Sequence, residues 1–416
     1  MEQVDDVVIV GAGVIGLASA LALLDAGRGV RVLDAGRAGC GSSHGNCGTI
    51  TPSHAAPLAA PGAIGRALRW MLTPDAPFYV APRVDPTLWA WLARFASRCN
   101  AADWHAGMVA KAAILLDARA ALPAWIARHG LDCEFREGGV DYVFRSAQAR
   151  DAFEHERDAL AAVGIASESI DGAACVAADP ALLAGLAGAV RFAGDASLRP
   201  DRYVAELARA VRAAGGVIEE DCRVEGIHED SEGVRVRTTQ GPRHGRELLL
   251  ATGAWSGPLA RATGLGRLPV QPGKGYSITY ARPVIVPRRA LVLVERGVCV
   301  TGWDDGFRLG STMELAGFDT RLNRCRLGAL ERGAAEYLQH PVGPVKREEW
   351  YGWRPLSCDD LPIIGRAPRR RRTWLATGHG MLGVTMSTAT ADLVADLVVG
   401  RQTRIDPAPY APARFA

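Results

Sequence analysis

Gly11, Gly13 and Gly16 follow the apolar run Val7-Val8-Ile9-Val10, and Asp34 closes the next apolar run, Gly29-Val30-Arg31-Val32-Leu33. Residues of these types in this order suit a dinucleotide. The first run reads as a buried parallel strand. Gly11 permits the tight turn after it, Gly13 lets the backbone approach a pyrophosphate, and Gly16 lets helix and strand pack closely. The first turn of that helix, Val14, Ile15 and Gly16, offers unpaired backbone N–H groups at the positive end of a helix dipole. A carboxylate at position 34 can bind ribose hydroxyls. The glycine spacing alone is a weak signal. Strand, glycines, helix, second strand and acid in sequence are a strong one.

Positioning these residues takes a βαβ unit, expected over residues 5–34. A small-residue loop follows from Gly39 to Thr49, and residues 51–86, rich in Pro and Ala, read as irregular loop with short helical pieces. Residues 87–129 read as one amphipathic helical stretch bearing Trp89, Trp91, Trp104 and Trp125. Residues 134–145 read as a strand pair about Gly138-Gly139, with a helix to residue 163. A helix at 201–214 precedes strands at 217–219, 223–228 and 234–238. Leu248-Leu249-Leu250 enters a second glycine turn at Gly253, residues 270–311 alternate as β structure, and 323–339 read as helix. A strand at 374–377, the turn Gly378-His379-Gly380 and a last helix to residue 399 close the chain. Nucleotide-type elements thus occur at the start, middle and end. The expected fold is α/β: a Rossmann-type cofactor domain from residues 1–50, 190–268 and 355–416, and an inserted substrate domain from residues 51–189 and 269–354.

Composition narrows the function classes. A chain of 416 residues, 48% hydrophobic and 22% charged, is long enough for two cored domains. A net charge of +3 gives no reason to expect nucleic acid, and Arg369-Arg370-Arg371-Arg372 between Pro368 and Trp374 reads as a solvated turn. The nine cysteines contain no C-x-x-C pair, so neither a metal site nor a disulfide framework is expected, and reduced thiols fit a cytoplasmic setting. Residues 7–24 are uncharged and imitate a membrane span. They contain the glycine turn, however, and follow acidic rather than basic residues, unlike a secretory signal. The expectation is a cytoplasmic protein, soluble or peripheral on the inner face of the plasma membrane. Helix core is the favoured reading of the tryptophans between Trp70 and Trp104, over a membrane-surface patch.

Nearly end to end, the chain resembles the FAD-dependent D-amino acid oxidase superfamily, and within it the bacterial D-amino acid dehydrogenases, including the D-proline and 4-hydroxy-D-proline dehydrogenases. The resemblance rests on the amino-terminal glycines, Ser42-Ser43-His44-Gly45-Asn46-Cys47-Gly48, Pro57-Leu58-Ala59-Ala60-Pro61-Gly62, Ala251-Thr252-Gly253-Ala254-Trp255-Ser256 and Lys274-Gly275-Tyr276-Ser277. Trp353-Arg354-Pro355, Leu361-Pro362-Ile363-Ile364-Gly365 and Gly378-His379-Gly380-Met381-Leu382-Gly383 complete it. It implies an α+β build on a mixed sheet for the inserted substrate domain. It also implies FAD, with its ADP half held by Gly11, Gly13, Gly16 and Asp34. Ser42, Ser43, Asn46 and Gly48 would follow the pyrophosphate toward the flavin, Val224 would meet the adenine through its backbone, and Gly253 belongs to the second glycine turn. Gly378, His379, Gly380, Met381, Leu382 and Gly383 would place N–H groups near the flavin pyrimidine, where partial positive charge favours the anionic reduced ring.

The resemblance also implies a D-amino acid or D-imino acid substrate that loses its Cα hydrogen as hydride to flavin N5, with electrons passing to a quinone or another carrier. Arg354 would bind the substrate carboxylate, which a guanidinium matches with two parallel charge-assisted hydrogen bonds. Tyr276 would hydrogen-bond substrate or wall the site; a half-buried strand tyrosine explains it nearly as well. Lys274 receives no role. His54 stands where the general D-amino acid dehydrogenases have a tyrosine, which puts the side-chain pocket in doubt. No Ser/His/Asp set, HExxH or paired-carboxylate motif stands out, and this chemistry needs mainly orientation and electrostatics. Two alternatives stay open: a glycine or sarcosine type of amine oxidase using oxygen, and an FAD-carrying subunit of a multi-subunit dehydrogenase. An NADPH-dependent monooxygenase is disfavoured, because no second complete glycine motif follows a strand and Asp34 would repel a 2′-phosphate.

Overall fold

The computed structural model describes residues 4–71 and 76–415. Its first sheet is built on β1 (Val4–Val10), α1 (Val14–Asp25) and β2 (Val30–Leu33), with β1 and β2 parallel. Val7 and Ile9 of β1 pack into one core and Val8 and Val10 into another, so both faces of this strand are covered. Residues Val14 to Leu23 of α1 are all buried, because helices Pro200–Ala213 and Ser387–Val399 pack on the side away from the sheet. The uncharged run at 7–24 is therefore a strand, a turn and a 12-residue helix. Among the described residues no helix is long and apolar enough to cross a membrane.

The strand order is Val217–Glu219, β2, β1, then Gly241–Leu250, all parallel. Gly241–Leu250 then forks. Its first half pairs antiparallel with Val234–Thr238, which pairs with Val224–Glu229. Its end, Leu248 to Leu250, pairs parallel with Thr373–Thr377, which carries Ile363–Arg366. The second sheet runs Lys346–Ser357, Val270–Ala281, Gly306–Leu315, Val298–Gly302, Ala290–Leu293, Val140–Phe144, Gly188–Phe192, Glu168–Asp171. It is mixed: antiparallel except where Ala290–Leu293 meets Val140–Phe144 and where Phe78–Val80 joins Gly306–Leu315. Strand Gly188–Phe192 spans residue 190, where the cofactor segment was expected to begin.

Two local expectations are changed, and one strand had none. The helix expected over 87–129 is two, Pro86–Arg98 and Ala101–His129, because Asn100 leaves the helical conformation and its side chain accepts the Asp103 N–H at 3.0 Å as an N-cap. The strands flanking Gly138-Gly139 do not pair with each other. Arg136–Glu137 joins Ala196–Ser197 while Val140–Phe144 joins the large sheet, the chain redirected by glycines at φ +135° and +88°. Lys346–Ser357 is a strand although its charged start and Pro355 disguise it; it lies at the sheet edge, where proline is tolerated.

One irregularity matters for the site. Gly275 faces Met313 while Ser277 faces Gly310, so strand Gly306–Leu315 carries an extra residue there. This bulge holds Ser311 at φ +120°, a conformation that favours glycine.

Candidate active site

Gly11 sits at φ +106° with any added Cβ 2.5 Å from the Ala251 carbonyl oxygen, and a Cβ on Gly16 would lie 1.8 Å from the Gly11 carbonyl oxygen. Only glycine closes β1, α1 and the Gly241–Leu250 strand this tightly. The turn opens into a cavity of about 670 Å³ whose wall includes Gly11, Gly13, Val14, Ile15 and Asp34. Asp34 accepts the Ala12 N–H at 2.7 Å and the Gly36 N–H at 2.9 Å, which fixes its carboxylate at the turn with further lone pairs open.

The wall continues through Ser42, Ser43 and Asn46. Ser43 Oγ accepts the Val14 N–H at 3.1 Å, Ser42 donates to the Trp353 carbonyl, and Asn46 Oδ1 accepts the Gly48 N–H at 2.8 Å. Arg308, 2% exposed, donates to the carbonyls of His44 at 2.9 Å and Asn46 at 2.8 Å, pinning this loop to the second sheet. Val224 and Gly253 also line the cavity, as do His379, Gly380, Met381, Leu382 and Gly383. Gly16, Gly48 and Gly378 lie outside the wall. Gly16 packs α1 on the turn, Gly48 bends the chain at φ +77° against Leu198, and Gly378 turns at φ +75° beside Ile363. The Thr51 hydroxyl, fully buried in the wall, has no hydrogen-bond partner among the described residues. Glycine backbone, a helix N-terminus, a carboxylate and an orphaned hydroxyl in one cavity fit a dinucleotide such as FAD. No cluster of metal-ligating side chains occurs among the described residues.

Arg354 lines the same cavity from the edge strand Lys346–Ser357. Its guanidinium donates to the Thr312 carbonyl at 2.8 Å and the Ser311 carbonyl at 3.4 Å, both supplied by the bulge. It lies flat on Gly275, where a Cβ would come within 2.4 Å of Nη1. Burial lowers its guanidinium from the ordinary value, opposed by the Cys47 and Cys299 thiols. A cation this desolvated, held by carbonyls and with no carboxylate within ion-pair distance among the described residues, is poised for an anion. Cys47 and Cys299 line the cavity beside it, their thiols in electrostatic contact. That contact and the nearby arginines lower the Cys47 thiol from its ordinary value against the effect of burial, and Cys299 is raised.

Tyr276 lines the cavity, but its hydroxyl donates to Glu314 at 2.9 Å and the residue is 1% exposed. Lys274 donates to the Arg321 carbonyl and stacks over Tyr276 and Tyr351. His54 is in the wall, with Nδ1 2.8 Å from the Tyr142 hydroxyl. Burial, aided by Lys111, lowers its imidazole to about 4, so it is neutral at neutral pH. His379 is likewise lowered by burial, to about 3, and its Nε2 lies 3.0 Å from Thr390 Oγ1. The bulge carbonyls, the Cys47–Cys299 pair and Tyr142 escaped the sequence reading. They come together only through strand register, although Gly275 and Gly310 are its trace in the chain.

Comparisons with known proteins place the chain in a family. Residues 6–397 match the family of FAD dependent oxidoreductases. The chain is 32% identical over 422 residues to a D-amino acid dehydrogenase of Agrobacterium fabrum, covering 99% of this chain and 100% of that one. It is 34% identical over 424 residues to a D-amino acid dehydrogenase of Cereibacter sphaeroides, covering 99% and 95%. Glycine oxidase from Geobacillus kaustophilus superposes with a TM-score of 0.81 at 25% identity, covering 99% of this chain and 98% of that one. L-proline dehydrogenase from P. horikoshii shares the fold, with a TM-score of 0.73 at 16% identity, covering 100% and 98%. The expected α/β fold with its mixed sheet is thus the fold of this family. The chain belongs to the FAD-dependent oxidoreductase family, and its cofactor is FAD.

Proposed function

We propose that the protein is a dehydrogenase that oxidises a D-amino acid to its imino acid, with D-proline or cis-4-hydroxy-D-proline the favoured substrate. Electrons pass to a quinone or another carrier. The observation that carries the reading is Arg354, a cation in the cavity wall that only backbone carbonyls hold. The D configuration follows the names of the relatives, and the cyclic substrate follows the resemblance to the hydroxyproline branch. FAD supplies the acceptor for hydride from Cα. Gly11, Gly13, Val14, Ile15 and Asp34 hold its ADP half, while Ser42, Ser43 and Asn46 follow the pyrophosphate. Val224 meets the adenine, and residues 379–383 offer N–H groups to the ring. Arg354 binds the substrate carboxylate in two parallel hydrogen bonds and so orients Cα. Tyr276 walls the pocket, with its hydroxyl engaged by Glu314.

A quinone acceptor calls for a membrane surface. Helix Ala63–Trp70 buries no residue, and Ile64 and Leu68 are exposed beside Arg66 and Arg69. We assign peripheral contact to this face. Trp91, by contrast, is core.

The test is the visible spectrum of the purified protein without oxygen, titrated with D-proline, cis-4-hydroxy-D-proline, D-alanine and sarcosine. Bleaching of the flavin band by a D-imino acid supports the reading; bleaching by sarcosine alone overturns it. The likeness to glycine oxidase favours a second reading, an oxidase, which predicts one peroxide per turnover under air. Turnover of the single chain with a dye acceptor excludes dependence on a partner subunit.

A further inference from the structure

Four polar side chains form an unbroken hydrogen-bonded line from the cavity wall into the core. The Tyr142 hydroxyl lies 2.8 Å from His54 Nδ1, 3.4 Å from its Nε2, and 3.0 Å from Ser53 Oγ. Ser53 Oγ donates to Asp195 at 2.5 Å, and the Ser53 N–H donates to the other carboxylate oxygen at 3.2 Å. Ser53 and Asp195 are each 1% exposed and Tyr142 is 5% exposed, while His54 lines the cavity. Cys299 lines the same cavity and is an electrostatic neighbour of both Arg354 and the Tyr142 hydroxyl.

The donors and acceptors of this line fit two arrangements that differ by one proton. With Asp195 ionised, Ser53 donates to Asp195, Tyr142 donates to Ser53, and His54 donates to Tyr142. With Asp195 protonated, every hydrogen bond reverses: Asp195 donates to Ser53, Ser53 to Tyr142, and Tyr142 to His54. We infer that His54, Tyr142, Ser53 and Asp195 form a proton relay that takes the proton from the substrate ammonium and stores it on Asp195. The inference rests on the amino acid oxidation proposed above, which requires a neutral amine before hydride leaves. In the relay the ammonium N–H bond breaks as Nε2 of His54, the ring nitrogen farther from Tyr142, gains that proton. The opposite ring nitrogen gives its proton to Tyr142, Tyr142 gives its own to Ser53, and Ser53 gives its own to Asp195. His54 ends neutral with its tautomer reversed, and one positive charge on the amine and one negative charge on Asp195 disappear together.

The surroundings suit these roles. Lys111, paired with Asp360, faces His54 from the long helix and disfavours an imidazolium. Glu156 acts on Tyr142 from helix Ala147–Ala162. Arg119 acts on Asp195 while bound to the Gly194 carbonyl and Glu137. Burial pushes the Asp195 carboxyl up to about 7, so it can take and return a proton near neutral pH.

Two measurements test the relay. In 15N-histidine NMR of the FAD-loaded protein, His54 is expected to stay neutral from pH 5.5 to 8.5. Its proton should shift to the nitrogen facing Tyr142 as the pH rises through about 7. In D195N that switch disappears. In turnover, Y142F is expected to lower kcat at pH 7 by about a hundredfold with little change in KM, and to regain activity as alkali neutralises the amine. Equal loss at every pH would make Tyr142 a structural residue and overturn the relay. So would a His54 tautomer that ignores Asp195. A wild-type protein whose flavin no amino acid reduces would overturn the functional proposal and, with it, the relay. Reduction with an unaltered Y142F profile would overturn the relay alone.

Discussion

The binding role proposed for Arg354 depends on its neighbours. Its sequence context, Trp353-Arg354-Pro355, suggests a carboxylate partner but says nothing of what holds the guanidinium. The structure supplies Gly275 beneath it and the bulge carbonyls of Ser311 and Thr312 beside it. Lysine cannot reproduce a planar two-bond fit, so R354K is expected to lose about 3 kcal/mol in kcat/KM, roughly a hundredfold. Flavin absorbance should be retained; a variant with unchanged KM for the amino acid would remove Arg354 from the substrate site. G275A makes a sharper case, because the new methyl group would meet the guanidinium at 2.4 Å. It should raise KM at least about tenfold without touching substrate.

At the scale of elements, the site depends on two buried cations that join segments far apart in the chain. Arg308 ties the loop carrying Ser42 and Asn46 to the second sheet. Lys111 on the long helix pairs with Asp360, which also accepts the Leu58 N–H at 3.1 Å. K111M leaves the Asp360 carboxylate buried without its partner and is expected to destabilise by about 3–5 kcal/mol in denaturant unfolding. Adding D360N should recover much of that loss; no recovery would mean that Lys111 matters for its packing and not for its charge. The βαβ unit was legible because strand and helix periods and glycine sterics act within some thirty residues. The strand Lys346–Ser357 was not, since its charged residues and proline are tolerable only at a sheet edge, which is a property of the assembled sheet.

For the whole molecule, buried titratable groups couple stability to pH. Asp195 has its folded value raised to about 7, above the unfolded carboxylate value of about 4, so its contribution is full below pH 4 and is lost as pH rises through 7. His54 has the opposite sign: lowered to about 4 from an unfolded value of about 6.5, it contributes above pH 6.5 and loses that contribution as pH falls through 4. D195N should therefore melt above the wild type at pH 8 and lose the advantage by pH 5; a constant difference across that range would contradict the buried ionisation. Residues Gly11 to Asp34 were enough to expect a dinucleotide cofactor, because a glycine turn between a strand and a helix constrains its ligand locally. Periodicity was enough to expect an α/β chain with a discontinuous cofactor domain, while the mixed sheet was expected only from the family resemblance. The carbonyl clamp on Arg354, the thiol pair beside it and the line from His54 to Asp195 were decided only by tertiary structure. Their members lie up to hundreds of residues apart, and the bulge and sheet register that bring them together follow from packing across the whole chain, which no local pattern encodes.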